Sequence, residues 1–132
     1  MPRILLTEDQ EDQRELYVDV LKEAGYEVIA AASAAEALKL FVTTKPDMVV
    51  LDIQMPGMDG MEAMSKILAK DRAIPVILYS AYPAYKANFL TWGADEFIVK
   101  TGDPGELVSA IRRIEKDRGL AMPKPTAMVA VK

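Results

Sequence analysis

At 132 residues, 51% hydrophobic and 27% charged, the chain has the size and composition of one globular domain, too short for two cores and too apolar for a disordered segment. Its formal net charge of -4 gives no electrostatic reason to bind nucleic acid. With no cysteine and no histidine, disulfides, thiolate or imidazole catalysis and Cys- or His-ligated metals are excluded, which leaves hard cations held by oxygen, magnesium or calcium first.

The opening Met1-Pro2-Arg3-Ile4-Leu5-Leu6-Thr7-Glu8-Asp9 reaches acids after three apolar residues and does not read as a signal peptide. No apolar run approaches the roughly 20 residues of a membrane span. The expectation is a soluble, cytoplasmic protein.

Short apolar runs alternate with stretches of helical period. The strand Ile4-Leu5-Leu6-Thr7 precedes a helix with Leu16, Val20, Leu21 and Ala24 on one face, which Gly25 can end. Glu27-Val28-Ile29-Ala30 is the second strand. Ser33-Ala34-Ala35-Glu36 then forms a capping box that opens the second helix, with Ala37, Leu38 and Phe41 inward. After Met48-Val49-Val50-Leu51, a third helix is striped by Met61, Met64 and Leu68, which read as core. Val76-Ile77-Leu78-Tyr79 precedes a weaker fourth helix, about Ala84 to Trp92, whose aromatic sequence also tolerates strand. Phe97-Ile98-Val99 is the fifth strand. A fifth helix follows, with Asp103 as N-cap, Pro104 in the first turn, Glu106 closing the box, and Leu107, Ala110, Ile111 and Ile114 inward. Arg112-Arg113 reads as a solvated face of that helix. Beyond Gly119 two prolines preclude a plain helix, so residues 1–118 read as the domain and 119–132 as a tail or linker stump.

Five such alternations predict an α/β, doubly wound (βα)5 fold: a parallel five-stranded sheet of order 2-1-3-4-5, flavodoxin-like. Ligands of such sheets bind beyond the carboxyl ends of the strands, where the order reverses. Strand one ends at Glu8-Asp9, strand three at Asp52, strand four at Ser80 and strand five at Lys100, whereas strand two ends in Ala31-Ala32 and offers nothing. Three carboxylates crowded together repel one another unless a cation lies among them. Glu8, Asp9 and Asp52 therefore predict a Mg²⁺ site, with a main-chain carbonyl near Gln54 as a further ligand. Lys100 and Ser80 opposite suit the oxygens of a phosphoryl group, and Asp52 can serve as the nucleophile that forms an aspartyl phosphate.

Asp52-Ile53-Gln54-Met55-Pro56-Gly57-Met58-Asp59-Gly60 resembles the signature D-x-x-M-P-G-M-D-G of response regulator receiver domains, the CheY-like family, and the likeness spans roughly residues 2–118. The resemblance implies Asp52 as phosphoacceptor, Asp9 as the direct metal acid with Glu8 beside it, and Gln54 as the carbonyl ligand. It also implies Ser80 as the switch hydroxyl, Lys100 as the phosphate-binding lysine and Phe97 as the aromatic switch. A sensor histidine kinase or histidine phosphotransfer protein would donate the phosphoryl group in a Mg²⁺-dependent step, and the domain would catalyse its own aspartyl phosphorylation and dephosphorylation. Ser80 would then move to the phosphate, Phe97 would turn inward, and the surface of the fourth helix, fifth strand and fifth helix would change. Tyr85, Phe89, Glu106 and Arg113 are candidate members of that surface. It would engage a downstream protein or an output domain, or carry a homodimer, with no nucleic acid bound by this domain itself.

Three positions depart from the pattern: Glu8 for the commoner aspartate, Lys100-Thr101-Gly102 for Lys-Pro, and Phe97 for tyrosine. Gly102 would then supply the bend after strand five. None removes a group needed for transfer, so an active receiver is expected. The alternative is a phosphorylation-independent receiver used only as a binding module. A haloacid-dehalogenase-type hydrolase would want a second acid where Gln54 stands, and the acidic Glu8-Asp9-Gln10-Glu11-Asp12 would repel a flavin phosphate. Gln54 and Tyr82, two residues beyond Asp52 and Ser80, are expected to influence the lifetime of the phosphate.

Overall fold

The computed structural model describes residues 2–82, 93–100 and 103–118. Five strands, β1 (Arg3–Thr7), β2 (Glu27–Ala31), β3 (Met48–Asp52), β4 (Val76–Ser80) and β5 (Glu96–Val99), pair in parallel in the order β2-β1-β3-β4-β5. Four helices are described: α1 (Glu11–Glu23), α2 (Ala34–Thr44), α3 (Gly60–Lys70) and α4 (Gly105–Arg118). The predicted order and all five strands are therefore present, with Asp52 and Ser80 inside the ends of β3 and β4. The helix predicted near 84–92, with Tyr85 and Phe89, lies outside the described residues, as do Thr101, Gly102 and the tail 119–132. Among the described residues no helix is long and apolar enough to cross a membrane.

Strand side chains alternate between the two faces of the sheet, and each face carries its own core. On one, Leu5, Val49, Leu51, Val76, Leu78 and Phe97 pack under α2 and α3, with Phe41, Met64 and Ile67. On the other, Ile4, Leu6, Met48, Val50, Ile77 and Tyr79 pack under α1 and α4, with Tyr17, Leu21, Leu107 and Ile111. β3 and β4 are buried at every position, as strands covered on both sides must be. Each aliphatic side chain so buried contributes about 1.5–3 kcal/mol.

Helix ends follow their signals. Ser33 Oγ accepts from Glu36 N at 3.1 Å, while the Glu36 carboxylate reaches back to Ala32 N at 2.7 Å, one residue before the usual partner in a capping box. Gly25 follows α1 with φ of 101°, and Asp103 accepts from Gly105 N at 2.9 Å at the start of α4. One helical face is corrected. Leu16 is 47% exposed, and Tyr17 with Leu21 forms the buried stripe of α1 instead. The helix is turned by about one residue from the predicted phase, and this brings the Tyr17 ring edge-on to Tyr79 at 5.3 Å and 82°.

Candidate functional site

The carboxyl edge of β1, β3, β4 and β5 gathers the predicted residues. Parity puts Glu8, Asp52 and Lys100 toward the α1–α4 side and Ser80 toward the other. One carboxylate oxygen from each of Glu8, Asp9 and Asp52 lies within 4.8 Å of the others. Lys100 Nζ stands between two of them, 2.8 Å from Glu8 Oε1 and 2.9 Å from Asp52 Oδ2. Gln54 N donates to Asp52 Oδ1 at 3.2 Å, so both Asp52 oxygens are oriented. Asp9 is half-buried and has no hydrogen-bond or ion-pair partner among the described residues.

The turn after Asp52 explains part of its own sequence. Gly60 N donates to Ile53 O at 2.8 Å, closing the loop directly onto the strand end. A Cβ at Gly60 would lie 2.1 Å from the Asp52 carbonyl oxygen, which no side chain permits. Gly57 takes a φ of 80°, open to glycine at little cost, and Asp59 caps α3 by accepting from Glu62 N at 2.9 Å. The motif is thus a device for turning the chain sharply off β3 while leaving Asp52 at the rim.

Above Asp52 lies a cleft of about 220 Å³, lined by Asp9, Gln13, Asp52, Gln54, Ser80, Tyr82 and Lys100 among others. Ser80 is buried, and its Oγ accepts from Tyr82 N at 3.0 Å. Glu8 sits lower than the other acids, wholly buried and outside the cleft lining. Its Oε2 accepts from Gln10 N at 3.0 Å, and its Oε1 receives both Lys100 and the Tyr79 hydroxyl, the latter at 3.0 Å. Phe97, expected to turn inward on activation, is buried here against the α2–α3 core. Of the predicted surface members, Glu106 is exposed and Arg113 is paired with Glu96 through two hydrogen bonds at 3.1 and 3.2 Å.

Burial pushes the Asp52 carboxyl up to about 6, with Lys100 opposing and Glu8 adding to the rise. Asp52 is therefore mainly ionised near neutral pH, yet poorly solvated, as suits a nucleophile. Burial acts to lower the Lys100 pKa, but its bonds to Glu8 and Asp52 outweigh this and hold it above its ordinary value. A donor set made only of carboxylate oxygens, with Asp9 unpaired at its rim, fits a hard divalent cation.

Tyr79 is the residue the predicted site lacked. A signal for it existed, since a tyrosine at the last inward position of a core strand needs a partner for its hydroxyl. What that partner would be depended on the register Asp52↔Tyr79, which is a property of the folded sheet.

Comparison with known proteins gives one consistent likeness. Residues 4–112 match the family described as "Response regulator receiver domain". The chain is 35% identical over 119 residues to the chemotaxis protein CheY of Listeria monocytogenes, covering 88% of this chain and all of that protein. It is 33% identical over 132 residues to the transcriptional regulatory protein PrrA of Mycobacterium leprae, covering 98% of this chain but only 57% of PrrA. The chain thus spans little more than half of that longer regulator. Among solved structures, the response regulator TrrA of Thermotoga maritima in complex with Mg²⁺-BeF is 38% identical with a TM-score of 0.81, covering 86% of this chain and 99% of TrrA. TrrA in complex with the histidine kinase ThkA superposes with a TM-score of 0.79, at the same identity over 86% of this chain and 98% of that one.

Proposed function

The chain belongs to the response regulator receiver family of two-component systems, and from that premise we propose that Asp52 accepts a phosphoryl group from a phosphohistidine on a partner protein. The observation that carries this is the placement of Asp52. It is a buried carboxylate with one oxygen on Gln54 N, the other on Lys100, and two further acids within 4.8 Å.

In the step, an Asp52 oxygen forms the new bond to phosphorus as the bond from phosphorus to the partner's imidazole nitrogen breaks, and that nitrogen keeps the electron pair. Glu8, Asp9, Asp52 and the main-chain carbonyl of Gln54 would hold Mg²⁺, which when bound offsets negative charge on the phosphoryl oxygens. Lys100 is already 2.9 Å from Asp52 and would follow the new negative charge outward. Ser80 would give up its contact with Tyr82 N to donate to the phosphoryl group. Its move would be read on the same α2–α3 side of the sheet, where Phe97 packs, and through β5 reach α4. TrrA, similar over nearly its whole length, is described with Mg²⁺-BeF and with a histidine kinase, which supports the same chemistry and class of donor here. The downstream reader is a docking protein or an attached output domain, as the longer PrrA has room for.

Incubation with acetyl phosphate and Mg²⁺ tests the reading by intact mass. The parent should gain one phosphoryl group and Asp52→Asn none. A parent that gains nothing, also failing to take up beryllofluoride, would instead be a binding module with an inert site.

A further inference from the structure

We infer that Tyr79 is a positioning residue of the metal site, acting through Glu8. This rests on the reading of Glu8 as one of the Mg²⁺-holding acids. Tyr79 is 1% exposed, and its hydroxyl lies 3.0 Å from Glu8 Oε1 and 3.1 Å from Thr7 O. One hydroxyl proton serves one of these acceptors at a time, so the phenol can pass between strand backbone and carboxylate without moving its ring.

The ring is fixed independently. Tyr17 meets it edge-on at 5.3 Å, and Lys100 Nζ lies 4.5 Å from its centroid. The phenol therefore touches two of the charged groups that define the site, Glu8 by its hydroxyl and Lys100 by its face.

Glu8 needs such a holder. It is wholly buried, three single bonds separate its carboxylate from its backbone, and β1 ends one residue before it. Gln10 N fixes Oε2. Oε1 would otherwise rest on Lys100 alone, the group that must turn to an incoming phosphoryl oxygen. With Tyr79 present, Glu8 keeps a donor when Lys100 leaves, and its charge stays aimed at Asp9 and Asp52.

Calorimetric titration of the whole chain with MgCl₂ tests this, using the parent, Tyr79→Phe, Glu8→Gln and the double variant. Phenylalanine keeps the ring and its packing, so circular dichroism should show the same fold, with the melting temperature lowered only by the loss of one buried hydrogen bond. Tyr79→Phe should weaken Mg²⁺ binding about threefold to tenfold, and by less than about 1.5-fold when Glu8 is already Gln. With acetyl phosphate, the Mg²⁺ concentration giving half the maximal rate should rise by the same factor, while the rate at saturating Mg²⁺ stays within about twofold. Unchanged or tighter binding in Tyr79→Phe, or an equal loss in both backgrounds, overturns the pairing and leaves the proposed function intact. A parent that binds no Mg²⁺ overturns the metal reading beneath it as well. Should the variants fold poorly, the ¹³Cζ resonance of Tyr79 in the parent decides: it should shift on adding Mg²⁺, and a resonance that stays put overturns the inference.

Discussion

The two faces of the sheet are built from the same strands and do different work. The α2–α3 face is closed by aliphatic side chains, Phe41 and Phe97, and its strand polar groups are Thr7 and Ser80 at the very end. The α1–α4 face contains three tyrosines, Tyr17, Tyr26 and Tyr79, and above them Glu8, Asp52 and Lys100. Charge can be buried at the rim of the second face because aromatic rings there bring hydroxyls into the core, and a hydroxyl can satisfy a carboxylate that a leucine cannot. One face supplies stability, and the other spends part of it to hold reactive groups out of water.

Substitutions that separate the two are ordered by expected effect. Lys100→Ala should slow phosphoryl uptake from acetyl phosphate by about 100-fold or more at saturating Mg²⁺, since a charge aimed at the reacting oxygens is lost. Mg²⁺ binding should persist by calorimetry. The variant should also melt lower without Mg²⁺ and recover with it, because Glu8 and Asp52 are left facing each other. Equal melting temperatures in both conditions would show that Lys100 does not neutralise the pair.

On the opposite face, Leu78→Ala should cost about 2–5 kcal/mol in urea unfolding, as Leu78 is fully buried. Among the molecules still folded, Mg²⁺ affinity should be near that of the parent. A large loss of affinity would mean that the two faces are more tightly coupled than their separate cores suggest.

Tyr26 probes the second face far from the site. Its hydroxyl donates to Glu115, and burial followed by that bond pushes its pKa up to about 12. A folded pKa raised above 10.0 means that the stabilisation is complete below pH 10 and is lost as pH rises through about 12. Tyr26→Phe should lower stability by about 1.5 kcal/mol at pH 8. Denaturant unfolding at successive pH values should show the gap to the parent closing above pH 10. A gap constant to pH 12 would place the effect in packing rather than in the hydroxyl.

The smallest effect belongs to Thr7, whose Oγ1 is buried with no hydrogen-bond partner among the described residues. Thr7→Val removes that orphan at nearly constant shape and should leave stability unchanged or raise it by about 1 kcal/mol. A clear loss in the melting curve would reveal a partner for the hydroxyl and a polar element in the aliphatic face.

Much of this was legible in the residues. Runs such as Met48-Val49-Val50-Leu51, apolar at every position, have only one comfortable place, a strand covered on both sides, and that with the helical spacing between them settled the parallel sheet and its order. The convergence of Glu8, Asp9, Asp52, Ser80 and Lys100 followed, because strand ends in such a sheet share one edge. Short-range signals also held, since Ser33 and Asp103 cap the helices they precede through contacts only two or three residues long.

What only the tertiary structure decided depends on rotation and register, which sequence spacing leaves loose. The phase of α1 was settled by a tyrosine seeking another ring, so Tyr17 went inward and Leu16 outward. Gly60 stands in the quoted motif, but the reason it must be glycine appears only where a Cβ would meet the Asp52 carbonyl oxygen. The sequence by itself determined which charged groups would meet; the fold decided that Glu8 would lie beneath the others, held by Tyr79, because the β3–β4 register sets that phenol below the carboxyl edge within reach of its oxygen.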